Sequence, residues 1–203
     1  MPDLVLVDKL ICAAREKHIE FFITVNKADL KCGTIQSIIE SYKNICKIFI
    51  VSAHTGENID NLKEYIKGRF VCFAGQSAVG KTSLINKITG LENKTGELSL
   101  KTERGRHTTT VTELIYKDGF ILADTPGFSS IFNEITVKEL AEIFFEGETE
   151  ELCRFRGCLH IQEPDCVVKN LVESGKIDKN RYARYIQIIN ELNEKEKRRK
   201  NYV

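Results

Sequence analysis

Apolar and polar residues follow a pattern that is typical of helices packed on a sheet. Continuous apolar runs that end in polar turns predict buried parallel strands in residues 20–30, 47–56 and 69–75. Apolar residues with helical spacing predict helices in residues 5–18, 34–45, 58–68, 81–90, 136–147 and 181–200. Because strands and helices alternate, we predict an α/β fold with a mostly parallel sheet and helices on both faces.

Residues 110–128 add two predicted strands that form a hairpin. Lys117, Asp118 and Gly119 separate two apolar runs, and the pair Asp-Gly favours the tight turn of a hairpin. Beyond Phe128 strands no longer alternate with helices, and a short cysteine-dense segment appears. We therefore predict two domains, residues 1–135 and residues 136–203.

The composition excludes several classes of protein. The 203 residues carry a net charge of +1, so any contact with nucleic acid or acidic lipid must be local. No apolar stretch approaches the roughly 20 residues of a membrane span, and the charged N-terminus has no signal-peptide pattern. The seven cysteines, an odd number, indicate a reducing compartment rather than a disulfide framework. We expect a cytoplasmic protein without membrane contact.

Residues 75–82, Gly-Gln-Ser-Ala-Val-Gly-Lys-Thr, match the phosphate-binding loop G-x-x-x-x-G-K-[ST] between a predicted strand and a predicted helix. Backbone N–H groups and the helix N-terminus bind phosphates in such a loop. Lys81 reaches the β- and γ-phosphate oxygens, and the Thr82 hydroxyl ligates Mg²⁺. The predicted contacts are Gly75, Gln76, Ser77, Ala78, Val79, Gly80, Lys81, Thr82 and Ser83, and Lys81 is also a predicted catalytic residue.

The segment Leu122–Gly127, Leu-Ala-Asp-Thr-Pro-Gly, supplies a second element of a nucleotide site. Asp124 ends a predicted strand, where a carboxylate holds Mg²⁺ in phosphate-loop nucleotidases. The Gly127 N–H is then placed to contact the γ-phosphate. We predict Asp124 as a magnesium ligand and Gly127 as a nucleotide contact.

The segment Asn26-Lys27-Ala28-Asp29 predicts that the base is guanine. A carboxylate accepts hydrogen bonds from the guanine N1–H and 2-amino groups, both of which adenine lacks, so Asp29 would be unpaired against adenine. Asn26 is expected to orient the loop, and Lys27 to lay its aliphatic stem along the base. Ser52 and Ala53 begin a further motif, in which a backbone N–H near Ala53 is expected to bind the guanine O6.

These elements occur in an unusual order. GTPases normally begin with the phosphate loop and end with the Asn-Lys-x-Asp and Ser-Ala elements, but here those two come first. The sequence therefore predicts a circularly permuted GTPase domain in residues 1–135. Permutation preserves the site because each element lies at the C-terminal edge of the same sheet.

Three cysteines and one histidine cluster within residues 153–166. Cys153, Cys158, His160 and Cys166 form a Cys₃His set that suits a tetrahedral, structural Zn²⁺. A cluster of free thiols is the alternative, because the spacing is not that of the usual thiol knuckle. We predict one zinc ion in residues 136–203.

Basic residues lie beside this cluster and at the chain end, and two roles are possible for them. Arg154 and Arg156 lie within the cluster, and Lys195, Lys197, Arg198, Arg199 and Lys200 follow in the last helix. They form either a solvated helix end or a surface that contacts nucleic-acid phosphates with salt-dependent affinity.

The permuted order, with residues 95–110 (TGELSLKTERGRHTTT), 124–129 (DTPGFS) and 153–166 (CRFRGCLHIQEPDC), resembles the ribosome small-subunit-dependent GTPase A (RsgA) family over nearly the whole chain. The resemblance implies a GTPase of late small-subunit maturation, with a zinc-binding C-terminal domain. It also implies that Thr108 or Thr109 completes the Mg²⁺ shell.

The chain departs at three places from the pattern of the family or, at Phe128, from that of GTPases in general, since Phe128 itself is typical of the family. Ala78 replaces a usual glycine, and we expect its small side chain to fit with modestly weaker nucleotide contact. Phe128 follows the Asp-Thr-Pro-Gly element, where many GTPases carry a water-orienting glutamine, so we expect slow intrinsic hydrolysis.

His107 is our candidate for positioning water, with a solvated loop histidine as the alternative. The family's N-terminal oligonucleotide-binding barrel is not expected among these 203 residues.

Two functions are consistent with the sequence. The first is a GTP-hydrolysing factor that acts in late maturation of the small ribosomal subunit. Its partners would be GTP/GDP, the small ribosomal subunit and its rRNA, and its catalytic residues would be Lys81, Thr108 and His107. The second is a nucleotide-responsive RNA or protein docking module with vestigial hydrolysis. A permuted GTPase that acts on the large subunit is disfavoured by the zinc cluster. We expect a monomer that uses Mg²⁺ with GTP.

Overall fold

The structure is a computed structural model that describes residues 2–30, 33–90, 113–117, 119–124 and 135–201. A short 3₁₀ turn spans Ala28–Leu30. The helices and strands follow in chain order: α1 Leu4–Glu16, β1 Ile23–Val25, α2 Thr34–Tyr42, β2 Ile48–Ile50, α3 Ile59–Ile66, β3 Phe70–Cys72, α4 Lys81–Thr89, β4 Glu113–Lys117, β5 Phe120–Asp124, α5 Val137–Ile143, α6 Val167–Glu173 and α7 Lys179–Asn201.

The predicted helices and strands are confirmed, with small differences in extent. Each of β1, β2 and β3 is only three residues long, shorter than the apolar run that predicted it. Helix α6 was not predicted, because it is a short element that directly follows the cysteine cluster. Helix α5 begins with a capping box, in which the Thr136 hydroxyl and the Glu139 carboxylate satisfy each other's backbone N–H groups.

The described strands form two sheets. Strand β5 lies between β3, to which it is parallel, and β4, to which it is antiparallel. Phe70 pairs with Ile121 and Cys72 with Ala123, so the carboxyl ends of β3 and β5 meet at one edge. The hairpin predicted between β4 and β5 is confirmed.

Strands β1 and β2 form the other sheet. The Ile23 N–H donates to the Lys47 carbonyl, and the Val51 N–H donates to the Val25 carbonyl. Partners that advance together along both strands indicate a parallel pair. The residues that follow the two strands therefore leave from the same edge of this sheet.

Contacts divide the chain into two compact units. The central unit contains Thr24–Cys32 and Phe49–Phe128, and the terminal unit contains Met1–Ile23, Gly33–Ile48 and Ser129–Val203. This grouping differs from the predicted boundary at residue 135, because α1 and α2 group with the C-terminal helices. The domain boundary itself stays a prediction.

The terminal unit has an apolar core with a buried ionic group inside it. Leu140, Phe144, Tyr185 and Ile188 are fully buried members of this core. Arg181 is also fully buried, and its guanidinium binds Asp8, Glu148 and the Phe144 carbonyl. Buried charges are stable only when they are paired and hydrogen-bonded, which this arrangement provides.

Arg15 ties α1 to the end of α5. Its guanidinium donates to the carbonyls of Ile143 at 2.9 Å, Phe144 at 2.6 Å and Glu146. The last carbonyls of a helix have no partners within the helix and carry its negative dipole end. A guanidinium supplies the missing hydrogen-bond donors and a positive charge that offsets the dipole. This contact explains why α1 belongs to the terminal unit. Within the described part of the chain, no helix combines the length and the apolar character that a membrane crossing requires.

Candidate nucleotide site and metal centre

The predicted phosphate loop connects β3 to α4 within the central unit. Lys81 begins α4, and its ammonium group donates to the carbonyls of Gly75 at 2.8 Å and Gln76 at 2.9 Å. An ammonium has three N–H donors, and these two bonds hold Lys81 back over the loop. The loop thus faces the positive N-terminus of α4 with a lysine above it, which is an arrangement that binds phosphate.

We call residues 26–29 the guanine loop. Gly80 lies where the phosphate loop meets this predicted guanine loop. Its φ of +90° is in the left-handed region, and a Cβ at this position would lie 2.6 Å from Asn26 Nδ2. Both the backbone conformation and the lack of space therefore require glycine here.

Gly80→Ala is expected to weaken GDP binding by at least about tenfold, because left-handed alanine costs roughly 1–2 kcal/mol and the methyl group displaces Asn26. Calorimetric titration with GDP measures the loss. Gly68→Ala is the matched control, since Gly68 has φ +75° with nothing within 4 Å of an added Cβ. Equal GDP affinities of wild type and Gly80→Ala would contradict the expected clash.

Ala78 takes a strained conformation in the same loop. Its φ is +62°, in the left-handed region that glycine adopts without cost. The alanine side chain therefore makes this backbone conformation strained. From the sequence we considered only whether the side chain fits in the loop.

Ala78→Gly is expected to tighten GDP binding by about threefold to tenfold, because it removes roughly 1 kcal/mol of strain from the loop. The same titration tests this change. Weaker binding by the glycine variant would show that strain at this position does not oppose nucleotide binding.

Asn26 connects three segments of the predicted site. Its Oδ1 accepts hydrogen bonds from the backbone N–H of Lys27 at 2.8 Å and of Ala53 at 3.0 Å. Its Nδ2 donates to the carbonyls of Val79 at 3.2 Å and Gly80 at 3.4 Å. The structure thus brings the guanine loop, the Ser52-Ala53 segment and the phosphate loop together. The Ala53 N–H, expected to bind guanine O6, here holds Asn26, and its contact with the base stays a prediction.

Ser52 orients the Asp29 carboxylate. The fully buried Ser52 hydroxyl accepts from the Thr55 N–H at 3.1 Å, and it donates to Asp29 Oδ1 at 2.6 Å. Ala28, Asp29 and Leu30 form a 3₁₀ turn, and the Ala28 N–H donates to the Val51 carbonyl at 3.1 Å. The Ser52 hydroxyl therefore orients the carboxylate, and the Ala28 hydrogen bond holds the backbone of its turn. Sequence reasoning did not name Thr55 as a site residue, although Thr55 lies in the segment that Ser52 and Ala53 begin.

Lys27 spans the gap between the two loops. Its backbone has φ +66°, and its ammonium group donates to the Ala78 carbonyl at 3.0 Å. The aliphatic stem therefore crosses from the predicted base site to the phosphate loop. This course agrees with a lysine that lies along a base plane.

The predicted magnesium ligands among the described residues are Thr82 on α4 and Asp124 on β5, and Ser83 is a predicted nucleotide contact. Thr82 and Ser83 lie in the first turn of α4 and are exposed. Asp124 ends β5 one residue after Ala123, which pairs with Cys72 at the end of β3. Backbone geometry therefore places Asp124 at the edge where the phosphate loop starts. The predicted residues His107, Thr108, Thr109 and Gly127, and also Phe128, lie outside the described residues.

The predicted metal ligands form a compact cluster in the terminal unit. The ligand atoms of Cys153, Cys158, His160 and Cys166 all lie within 4.8 Å of one another. Cys153 Sγ is 3.8 Å from Cys166 Sγ and 3.6 Å from His160 Nδ1, which is 3.3 Å from Cys166 Sγ. Tetrahedral zinc with its usual bond lengths separates two sulfurs by about 3.8 Å, and a sulfur and a nitrogen by about 3.6 Å. The donor set therefore fits a zinc ion, and the sulfurs are too far apart for a disulfide.

Surrounding groups orient these ligands. His160 Nε2 is 3.2 Å from the Ala141 carbonyl, which leaves Nδ1 directed at the sulfurs. The Glu163 carboxylate accepts from the backbone N–H groups of Leu159, Ile161 and Gln162. The Tyr182 and Tyr185 hydroxyls donate to the carbonyls of His160 and Leu159, both at 2.6 Å. These supporting residues had no distinct sequence signal.

Burial changes the protonation of the ligands. It lowers the pKa of His160, which keeps the imidazole neutral near pH 7 and able to ligate a metal. It raises the pKa of Cys158 to about 12 and also raises the pKa of Cys166. A bound cation must therefore displace thiol protons at this cluster.

Two family profiles match the chain. The profile described as RsgA GTPase matches residues 2–133. A second, described as 50S ribosome-binding GTPase, matches residues 70–202. Together they span both units.

Similar proteins include three named small ribosomal subunit biogenesis GTPase RsgA. The protein of Caldanaerobacter subterraneus is 45% identical over 96% of this chain and 68% of its own length, and that of Moorella thermoacetica is 45% identical over 94% and 68%. The Thermotoga maritima protein is 39% identical over 92% and 65%. The chain thus spans about two thirds of these relatives.

Two solved structures are similar to the chain. YjeQ from Thermotoga maritima has a TM-score of 0.74 at 33% identity, covering 94% of this chain and 66% of that one. YloQ, described as a circularly permuted GTPase, has a TM-score of 0.73 at 30% identity, covering 95% and 64%.

Proposed function

This chain belongs to the RsgA GTPase family, and from that premise we propose that it hydrolyses GTP in the biogenesis of the small ribosomal subunit. The predicted fold, a circularly permuted GTPase fold, is confirmed by the matched structures. The relatives are named for this function, and we propose the same function for this chain.

One observation carries the proposal. Asn26 binds the Val79 and Gly80 carbonyls and the Ala53 N–H at once, so a single side chain joins the guanine loop to the phosphate loop. These residues are far apart in the sequence, and their meeting in one compact unit supports a single nucleotide site. The Asp29 carboxylate, fixed by Ser52, gives that site a preference for guanine.

Each predicted group has a role in hydrolysis. Lys81 supplies positive charge at the β- and γ-phosphate oxygens, where charge develops as the bond to the γ-phosphate breaks. Thr82 and Asp124, with Thr108 or Thr109, would hold Mg²⁺, which supplies further charge neutralisation. We propose that His107 positions the attacking water, which yields GDP and phosphate.

The Cys₃His cluster has a structural role in this proposal. We assign it one Zn²⁺, because four protein ligands leave no open position for catalysis. The ion would fix the segment between α5 and α6.

The proposed partner is the small ribosomal subunit with its rRNA. Arg156 is exposed beside the metal cluster, whereas the exposed Arg154 pairs with Asp165 at 2.8 Å. The exposed basic residues at the end of α7 add positive charge for phosphate contacts. We place the protein in the cytoplasm as a monomer.

GTP turnover with purified ribosomal subunits tests the proposal. We expect slow hydrolysis alone and a large stimulation by small subunits, as partners of other GTPases raise rates by about 10³–10⁵. Large subunits are the control, because one matching profile is described as 50S-binding. Stimulation by large subunits only would overturn the assigned partner, and nucleotide-dependent subunit binding without turnover would favour the docking module.

A further inference from the structure

His160 is the ligand of the metal cluster whose backbone is strained. Its φ of +56° lies in the left-handed region, which a residue with a side chain occupies only at a cost. The imidazole is held from two sides, because Nε2 lies 3.2 Å from the Ala141 carbonyl and the Phe145 ring packs edge-on against it, with the two centroids 5.8 Å apart. These contacts hold the ring, whereas the strained backbone needs contacts of its own.

Two tyrosines of α7 supply contacts to this backbone. The Tyr185 hydroxyl donates to the Leu159 carbonyl, and the Tyr182 hydroxyl donates to the His160 carbonyl, both at 2.6 Å. These carbonyls belong to the two peptide groups on either side of the His160 Cα. Because φ and ψ are the rotations of those two rigid groups about the Cα, the pair of hydrogen bonds restricts both angles of His160.

The two tyrosines are themselves well placed to hold a fixed geometry. They lie three residues apart in α7, so both side chains leave the same side of the helix. The fully buried Tyr185 ring packs against the rings of Phe144 and Phe145, with centroid distances of 5.0 and 4.9 Å. A ring packed in this way keeps its hydroxyl in one place. Helix α7 therefore presents two oriented donors to the segment that carries His160.

We propose that Tyr182 and Tyr185 are positioning residues that set the metal affinity of the cluster by holding His160 in its ligating conformation. This inference rests on the proposed zinc site. Groups that orient a metal ligand commonly change the metal affinity by about tenfold to a hundredfold when they are removed. Strain favours departure of the His160 backbone from the left-handed region, so loss of either hydrogen bond allows Nδ1 to move away from the sulfurs.

The same bonds make the first turns of α7 part of the metal centre, although the four ligands come from residues 153–166. Coupling between two binding events is reciprocal. A tyrosine contact that raises the metal affinity is therefore strengthened by the same factor when the metal binds. Zinc thus favours the docking of α7, and the docking of α7 favours zinc.

The zinc affinities of Tyr182→Phe and Tyr185→Phe test the inference. Each change keeps the ring and removes only the hydroxyl. We expect each variant to bind zinc about tenfold more weakly than wild type, and the double variant up to about a hundredfold more weakly. Competition between the full chain and a chromophoric chelator measures these affinities. The matched control is Tyr42→Phe, because the Tyr42 hydroxyl is also hydrogen-bonded in the terminal unit, but to Asp8 Oδ1 at 3.0 Å.

A variant without the imidazole separates positioning from a general loss of stability. Glycine adopts the left-handed region without cost, so His160→Gly removes both the ligand and the strain and leaves the three thiols to bind zinc. If Tyr182 acts through His160, adding Tyr182→Phe to His160→Gly should change the zinc affinity by less than about twofold. A tenfold loss in this background as well would show that the hydroxyl does not act through His160, and the inference would fail.

The remaining outcomes are equally decisive. Zinc affinities that are unchanged in both tyrosine variants, or lowered only as much as in Tyr42→Phe, would overturn the inference. Tyr182 is partly buried, so Tyr182→Phe decides the test if Tyr185→Phe does not fold. A wild-type chain that binds no zinc would instead overturn the proposed metal site itself.

Discussion

Asp29→Asn is expected to change the base that the protein binds. Guanine presents two donors, N1–H and the 2-amino group, and the Asp29 carboxylate offers two acceptors. An asparagine offers one acceptor and one donor, which complements xanthine, since xanthine has N1–H and a carbonyl at position 2. Ser52 can still donate to the amide oxygen, as it now donates to Asp29 Oδ1. The loop geometry is therefore expected to survive the change.

The expected loss of GDP affinity in Asp29→Asn is about a hundredfold or more, because a donor of the base is then opposed by a donor of the protein. The affinity for xanthosine diphosphate (XDP) should rise by a similar factor. Titrations with both nucleotides measure the exchange, and Asp60→Asn on the exposed first turn of α3 is the matched control. Unchanged GDP preference in Asp29→Asn would refute the assignment of Asp29 to the base.

The parts of the two sites that could be predicted from the sequence are local in the chain. The phosphate loop occupies residues 75–82 and the metal ligands occupy residues 153–166, so the residues of each site could be identified within one short segment. The order of the guanine and phosphate elements likewise predicted the permuted fold that the matched structures confirm. In each case the residues of a motif are close together in the chain, so few alternative backbone arrangements are available to them.

Contacts between distant residues could not be predicted in this way. Asp8 is a charged residue within a predicted helix, and it is fully buried against Arg181 and Arg184. These partners are distant along the chain, and nothing local marks them as a pair. The grouping of α1 with the C-terminal helices follows from such contacts, which explains why the sequence placed it in the first domain.

The strain at Ala78 was also hidden from the sequence. The general phosphate-loop motif admits any residue at this position, and the usual glycine of the family was interpreted only in terms of whether the alanine side chain fits. Only the backbone φ of +62° shows that alanine is held in the left-handed region. A motif specifies residue types, whereas this cost arises from a dihedral angle.

Removal of the metal is expected to have the largest effect on stability. Purified protein should contain close to one zinc ion per chain, bound by Cys153, Cys158, His160 and Cys166. Zinc bound to such a set contributes about 10 kcal/mol or more in small zinc domains. The total stability of an ordinary domain is about 5–15 kcal/mol, so the terminal unit should not stay folded without the ion.

Cys158→Ser is the sharpest variant, because Cys158 is buried and a hydroxyl is a poor ligand for zinc. We expect this variant to lose zinc and to lose hydrogen-exchange protection in α6 and α7. Since the chain contains no tryptophan, metal analysis and hydrogen exchange are better readouts than intrinsic fluorescence. Cys46→Ser is the matched control, because Cys46 is partly buried in the same unit but outside the metal cluster. Protein that holds no zinc when purified without chelator, or a Cys158→Ser variant that keeps both zinc and protection, would show that the cluster does not stabilise the unit through a metal. Loss of zinc and protection in Cys158→Ser alone would establish the ion as the structural centre of the terminal unit.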